Sequence, residues 1–407
     1  MVERKKFMNA NKMYLIIRSV MGLAFHLAFT ATALYRIDIA QLQIYQLILI
    51  GSALEIAVFL FEVPTGIVAD LKSRRLSVII GFFIIGIGFV MEALTPLFIM
   101  IFIAQIVWGL GYTFISGALD SWVSDETENI EIEKTMIAGA QFNKFFSFLG
   151  IVLAGVIGMY NITLAIYVAG GLFALLGVYA ILIMKEHHFH KEIHTLPLHK
   201  EYFNQLVKGF KHIKKNKVLK IMFVVMLFFG LFSEGIDRTY ELYILDHLGF
   251  RQAWNIPTIW ILVIINAAVA FIGLIVLQIV KKHIKEGKHV TLWAFNFTIS
   301  MVVGLLIFAY FPLEYVALFG YVFFSITREG THPLLNTILL KNTPSKIKAT
   351  VLSGFGQLDA IGQLLSGVIM VGASVAFGIK GMYGIAAALL LIPIIFLPQT
   401  NLKTKDD

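Results

Sequence analysis

The chain has no cysteine, so neither disulfides nor thiolate metal sites enter its chemistry. Charge is scarce as well: 14% of its 407 residues are charged against 58% hydrophobic, and the mean hydropathy is +0.82. A soluble fold of this size needs far more polar surface, so the composition excludes one and indicates an integral membrane protein. There is no Gly-x4-Gly-Lys-Ser/Thr phosphate loop, and hence no sign of an ATP-driven pump. A nucleophile elbow and a His-Glu-x-x-His metal motif are also missing. An intramembrane enzyme would have only acids and bases such as Asp120 and His332 to work with, and the chain is not expected to be one. The basic start MVERKK runs straight into a full-length apolar stretch, so no cleaved leader is expected.

What is present is a series of apolar runs of about 20 residues, each able to cross a ~30 Å hydrocarbon core as a helix. They predict twelve spans, near 13–34, 41–69, 76–94, 97–122, 135–159, 162–184, 218–245, 254–280, 289–310, 313–340, 347–372 and 378–398. An even number returns both termini to one side. Most of the Lys and Arg fall before the first span, after the second, fourth, sixth, eighth and tenth, and in the tail. The positive-inside rule therefore places those segments and both termini in the cytoplasm. The formal charge of +8 is topological, and nucleic acid is not an expected partner.

Between the sixth and seventh spans lies a basic, His-rich cytoplasmic linker, 185–217. It divides an N-terminal six-helix bundle, 1–184, from a C-terminal one, 218–407. Tyr202, Phe203, Leu206, Phe210 and Ile213 are spaced as the apolar face of a helix that can lie on anionic lipid. His187, His188, His190, His194 and His199 could bind a transition metal, but no carboxylate or fixed spacing organises them, and no metal site is expected. The halves echo each other: Gly150-IVLA-Gly155-Val156-Ile157 in span 5 returns as Gly362-QLLS-Gly367-Val368-Ile369 in span 11. Duplicated bundles around a midplane cavity suit alternating access in secondary transport.

Ionisable side chains at membrane depth cost several kcal/mol unless paired or hydrated, about 2.5–3.5 on insertion scales, so they mark candidate sites. In span 7, Glu234, Asp237, Arg238 and Glu241 share one helix face, with Arg238 in reach of Glu234 and Glu241. In span 2, Glu55 and Glu62 share a face, and Pro64 can kink the helix beside Glu62. His26 falls near the middle of span 1 as a hydrogen-bonding cavity residue, and Arg18 is a snorkelling or helix-pairing base. Lys144, deep in span 5, calls for an acid, with Asp120 and Glu55 as candidates. Arg328, Glu329 and His332 in span 10 and Asp359 in span 11 form a similar set, with an Arg328–Asp359 pair as one arrangement. The candidate proton-coupling residues are Glu234, Asp237, Glu55 and Asp359, with His26, Glu62, Lys144, Arg238, Glu241, Arg328 and His332 as cavity or charge-network residues. The 35 Phe and 14 Met suit an adaptable apolar cavity, although lipid-facing positions account for many of them.

Gly66-IVA-Asp70-LKS-Arg74-Arg75, between spans 2 and 3, resembles the major facilitator signature Gly-x-x-x-Asp-basic-x-Gly-basic-basic. It matches at Gly66, Asp70, Arg74 and Arg75 and departs at Leu71 and Ser73. FEVPTG (61–66), WGLGYTFISGALDSWVSDE (108–126), SEGIDRTYE (233–241) and PSKIKATVLS (344–353) are similar to stretches of bacterial drug:proton antiporters, the tetracycline-resistance-like and macrolide-efflux-like exporters. The antiporter pattern carries an Arg four residues before Gly109, where this chain has Gln105, and span 5 lacks its Gly-Pro pair. The resemblance implies an all-α bundle of twelve transmembrane helices in two pseudo-symmetric halves, with the Gly66–Arg75 motif as a conformational switch. It further implies export of small lipophilic or cationic molecules by proton antiport from a monomer in a bacterial cell membrane. The proton gradient would supply the energy, without a cofactor. Proton-coupled or facilitative uptake of a metabolite, and lipid flipping, are the alternatives.

Overall fold

The computed structural model of the chain describes residues 10–127, 129–188, 213, 216–285, 290–343 and 348–401. The linker residues His190, His194, His199 and Tyr202 to Phe210, and 344–347 of the span 11 approach, lie outside the described residues. Among the described residues every regular element is a helix and there is no strand. This is what hydrocarbon demands, since each backbone polar group must be satisfied within its own segment.

Among the described residues twelve principal helices follow one another. In the first half they are α1 Ala10–Leu34, α2 Ile44–Leu71, α3 Arg74–Leu94, α4 Phe98–Ile115, α5 Asn129–Gly158 and α6 Ile162–Ile183. In the second they are α7 Lys217–Leu242, α8 Thr258–Lys285, α9 Val290–Tyr310, α10 Glu314–Lys341, and a continuous run Lys348–Leu389 broken at Gly378 into α11 (348–377) and α12 (379–389). Gly378 has φ 68°, a left-handed backbone that glycine adopts without steric cost, so two helices meet there at a kink with almost no loop. Several starts are capped where the hydropathy drops. Asn161 accepts from the Leu164 amide at 3.0 Å, and Asn216 accepts from those of Val218 and Leu219 at 2.9 and 3.2 Å.

The predicted spans hold as elements and shift at their ends. The fourth stops at Ile115, turns at Ser116–Gly117 and resumes as a separate short helix, Ala118–Glu126. The fifth starts at Asn129, six residues before the predicted 135, and the eighth at Thr258, after a separate turn Phe250–Ala253. Pro64 does not interrupt α2. Beside it the Thr65 hydroxyl lies 2.8 Å from the Phe61 carbonyl and 3.1 Å from that of Thr113, which ties α2 to α4.

The chain forms two compact units, Met1–Leu42 with Ala53–Leu198 and Gln43–Ser52 with His199–Asp407. Within the first, α1 packs chiefly on α5, and α3 on α4 and α6; within the second, α7 packs on the α11–α12 run and α9 on α10. The seams are alike. A Cβ added at Gly150 would overlap the Leu23 carbonyl oxygen of α1, and one at Gly362 would lie 2.5 Å from the Leu227 carbonyl oxygen of α7. The echoed glycines thus let the fifth helix of each half press against the backbone of the first. A second pair repeats as well: α3 and α4 meet at Gly81 and Gly111, α9 and α10 at Gly304 and Gly320.

Candidate functional site

The switch-like motif ties together three helix ends. Ser73 stands where glycine is usual, but its backbone is extended (φ −179°, ψ 129°) and has no need of glycine's freedom. Its hydroxyl caps α3, accepting from the Leu76 amide at 2.9 Å, and donates to Glu186 Oε2 at 2.5 Å. Glu186 also takes the Arg74 and Arg75 amides, at 2.8 and 3.1 Å, so a carboxylate sits on the positive end of α3. The Arg74 guanidinium pairs with Asp125 and donates to the Ser121 carbonyl at 3.1 Å, while that of Arg75 donates to Ile181 at 2.8 Å. Glu126 accepts the amides of His187 and His188 at 2.6 and 2.8 Å, and the Trp122 indole donates to the Lys185 carbonyl at 2.8 Å. Asp70 is half-buried, and a Cβ at Gly66 would meet nothing within 4 Å. Ser73→Ala is expected to cost about 0.5–2 kcal/mol and Ser73→Gly only a few tenths, read as thermal unfolding of the purified protein; equal costs would mean that Ser73 is no cap.

In the first unit, Arg18 pairs with Asp120, and Tyr14 joins them, donating to Asp120 Oδ1 at 2.8 Å and accepting from Arg18 Nε at 2.9 Å. Asp120 is therefore taken up by Arg18 and Tyr14, while Lys144 is exposed, fifteen residues into α5. Arg18 is the helix-pairing base of its two expected roles. The charges of Glu62, Arg18, Glu55 and Asp120 act on the Tyr112 hydroxyl. Glu55 and Glu62 are half-buried. His26 is half-buried too, with Nδ1 3.1 Å from the Gly22 carbonyl, so the hydrogen on that nitrogen is directed inward along its own helix.

Beside these groups lies an aromatic cluster that composition alone did not locate. Phe25 has Phe29 at 5.4 Å, Trp108 at 6.2 Å and Tyr112 at 6.5 Å, centroid to centroid, and Phe89 stacks on Trp108 at 5.8 Å. Phe89 and Trp108 are buried, whereas Phe29 and Tyr112 are 42% and 41% exposed.

The second unit gathers the other candidates. Glu234, 2% exposed, accepts from Arg238 Nε at 3.2 Å. Asp237, on the same face of α7, turns to α10 instead: Arg328 holds it by both guanidinium ends, Nη2 to Oδ2 at 2.8 Å. Of the arrangements open from sequence, a direct Arg328–Asp359 pair gives way to Arg328–Asp237, because α10 presents Arg328 to α7. The guanidinium also lies 5.2 Å from the Phe232 ring centre. Asp359 accepts from Gln363 Nε2 at 2.8 Å and lies in the fields of His332, Arg328 and Asp237. Those four side chains form one electrostatic group. Glu241 acts on the Tyr240 and Tyr321 hydroxyls, whose rings stack at 4.8 Å. Among the described residues no three His, Asp or Glu side chains gather to hold a metal.

The pair of Arg36 with Glu92 joins two residues that the sequence reading did not single out. Glu92, fully buried near the end of α3, accepts from Arg36 Nε and Nη2, both at 2.7 Å, through Oε1. Gln105, where the antiporter pattern has Arg, donates to Glu92 Oε2 at 2.8 Å. An acid three residues inside the end of an apolar run was the available signal.

Residues 8–367 match the family model described as Major Facilitator Superfamily. The chain is 26% identical over 353 residues to an uncharacterised MFS-type transporter, YxaM, of Bacillus subtilis (strain 168), with 86% of each chain covered. Among solved structures it resembles a mutant of the nucleoside transporter NupG, with a TM-score of 0.82, 12% identity and coverage of 97% of this chain and 100% of that one. It also resembles a POT family transporter in complex with a thioalcohol-conjugated peptide, with a TM-score of 0.72, 14% identity and 96% of both chains covered.

Proposed function

Since the chain belongs to the Major Facilitator Superfamily and is a multi-pass membrane transporter, we propose that it exports small lipophilic or cationic drug-like molecules in exchange for protons, by alternating access. It acts as a monomer in the cell membrane, its two six-helix bundles joined by the cytoplasmic linker 185–217 and both termini cytoplasmic. The proton gradient is its energy source.

The observation that carries the coupling is Arg328 under the charge of two acids. It grips Asp237, and the charge of Asp359 acts on it as well. A carboxylate in that position binds either the guanidinium or a proton. Uptake of a proton by Asp237 frees Arg328 to turn to Asp359, and its loss restores the fork. A transporter couples only if its two conformations differ in affinity for the driving ion, and a base that changes partners provides such a difference. Buried Glu234 with Arg238, and Glu55 with Glu62 in the first unit, hold further charge at depth where it is retained only with partners or hydration. The nucleoside and peptide transporters of similar structure share the fold at 12–14% identity, which leaves the substrate to be argued from this chain's own residues.

Proteoliposomes containing the full chain and a luminal pH dye test the reading against a panel of lipophilic cations, nucleosides and peptides. Cation-dependent proton movement, weakened in Asp237→Asn at normal expression, is expected. Transport indifferent to the pH gradient removes antiport, and proton movement with nucleosides or peptides alone replaces drug export with metabolite transport.

A further inference from the structure

We infer that the open end of an aromatic stack in the second unit, Tyr240 with the Asn266 carboxamide beside it, is a binding subsite for neutral planar aromatic molecules that carry a carbonyl acceptor. The inference rests on the export reading and deepens it, by naming which small lipophilic molecules the chain holds.

Three rings from three helices make the stack. Phe308 of α9 is fully buried, and Tyr321 of α10, 6% exposed, lies 5.2 Å from it, centroid to centroid. Tyr240 of α7 lies on Tyr321 at 4.8 Å with the two planes 13° apart. Tyr240 is half-buried, and among the described residues no further ring meets it, so it ends the stack. Its hydroxyl donates to Asn266 Oδ1 of α8 at 3.2 Å. The Nδ2 hydrogens of Asn266 meet no acceptor among the described residues, and that nitrogen is not sealed into the interior. A carboxamide placed so at the edge of an open ring offers two donors to whatever stacks on that ring.

The open side is not a lipid face. Along α8 the exposed Ile264, Phe271, Ile275 and Ile279 mark the side turned to acyl chains, and Asn266 stands roughly 140–180° around the helix from each of them at about 100° per residue. From Ile221 to Leu242 no residue of α7 is exposed, and half-buried Tyr240 shares its face with Asp237 and Glu241. Ionisable groups at depth collect where water or a cavity reaches them. The acids around Tyr240 have partners: Arg328 holds Asp237, Arg238 holds Glu234, and Glu241 acts on the two tyrosine hydroxyls. What is left to select a ligand is a ring face and neutral donors. A flat aromatic molecule adds a layer to the stack, and its carbonyl gives Asn266 the acceptor that the chain does not. Tyr240 stands one turn from Asp237 on α7 and Tyr321 two turns from Arg328 on α10, so the ligand lies in the same α7–α10 seam as the fork.

The test uses the full-length protein in lipid nanodiscs and acridone, a neutral, fluorescent, planar ketone, read by fluorescence anisotropy against protein-free nanodiscs. Xanthone (planar, with a carbonyl), anthracene (planar, with no acceptor) and N-methylacridinium (planar, cationic) serve as competitors. Saturable acridone binding is expected, weakened by roughly 3- to 10-fold in Tyr240→Leu and in Asn266→Leu, and kept within about twofold in Tyr240→Phe, which retains the ring. Xanthone should compete best of the three. In Asn266→Leu its advantage over anthracene should vanish, a change of ranking that a general loss of packing does not produce. Acridone binding no tighter than to protein-free nanodiscs, or unchanged in Tyr240→Leu and Asn266→Leu, overturns the subsite. So does N-methylacridinium outcompeting xanthone, or xanthone keeping its advantage in Asn266→Leu. If acridone binds through Tyr240 and Asn266 but a pH gradient does not move it across proteoliposomes, proton exchange falls and the subsite stands. If the gradient drives acridone equally in Tyr240→Leu and Asn266→Leu, the subsite falls and proton exchange stands.

Discussion

Arg36→Ala is expected to destabilise the protein by about 3–5 kcal/mol, because it strips the guanidinium from a carboxylate that cannot reach water. Glu92 is 0% exposed and Arg36 only 12% exposed at the side chain, and the two are joined by contacts of 2.7 Å. In the variant the Gln105 amide, at 2.8 Å from the other oxygen, remains as a donor, but a neutral amide does not replace a guanidinium beside a buried negative charge. The carboxylate must then take up a proton or drag in water, and either costs stability. Glu92→Gln should be milder, since the charge left behind is that of Arg36, which at 12% exposure still reaches water where Glu92 does not. Replacing both, Arg36→Met with Glu92→Leu, should come back toward the unsubstituted protein, as buried ion pairs replaced by apolar side chains of like volume often do. The measurement is the thermal midpoint of detergent-solubilised protein across the four combinations, closed as a double-mutant cycle. A midpoint for Arg36→Ala within a degree of the starting protein would show that Glu92 finds its compensation elsewhere.

That pair illustrates where sequence reading ends. Twelve helices and the seam marked by Gly150 and Gly362 were readable because span length and small-residue spacing are local properties, set by hydrocarbon thickness and by how closely two backbones can approach. The Glu234–Arg238 contact was readable for the same reason, since both residues stand one turn apart on α7. Asp237 with Arg328, Arg18 with Asp120 and Arg36 with Glu92 were not, because periodicity tells which face a side chain occupies and not which helix lies opposite. Boundaries suffered in a related way. Ser116 and Gly117 interrupt the fourth span within a run that hydropathy alone reads as continuous. Ser73 looked like damage to a motif, yet its hydroxyl gives α3 a cap and Glu186 a donor that glycine cannot provide.

The Arg328 fork makes the second large prediction, because its loss should separate transport from its driving force. In Asp237→Asn the side chain keeps its shape but no longer attracts a guanidinium as a charged acceptor, and Arg328 is left with Asp359, whose charge also acts on it. Each hydrogen bond to a charged group is worth about 1.5–3 kcal/mol, so losing the charge on a bidentate acceptor biases the arginine toward Asp359 by a factor of roughly 100 or more. Proton-driven export should fall by about that factor, while exchange of substrate between equal pools, which needs no net proton, should persist. Arg328→Lys should lie between: the charge remains, but an ammonium cannot grip both oxygens in one plane. Asp359→Asn should also uncouple, now by removing the second station and leaving Arg328 on Asp237. The paired measurement is gradient-driven uptake into inside-out vesicles against equilibrium exchange in the same vesicles. Loss of both activities in Asp237→Asn would make the fork a scaffold that holds α7 to α10. Full retention of gradient-driven export would move the coupling to another acid, with Glu234 first in line, since it is the most buried of the candidates and has its own arginine one turn away.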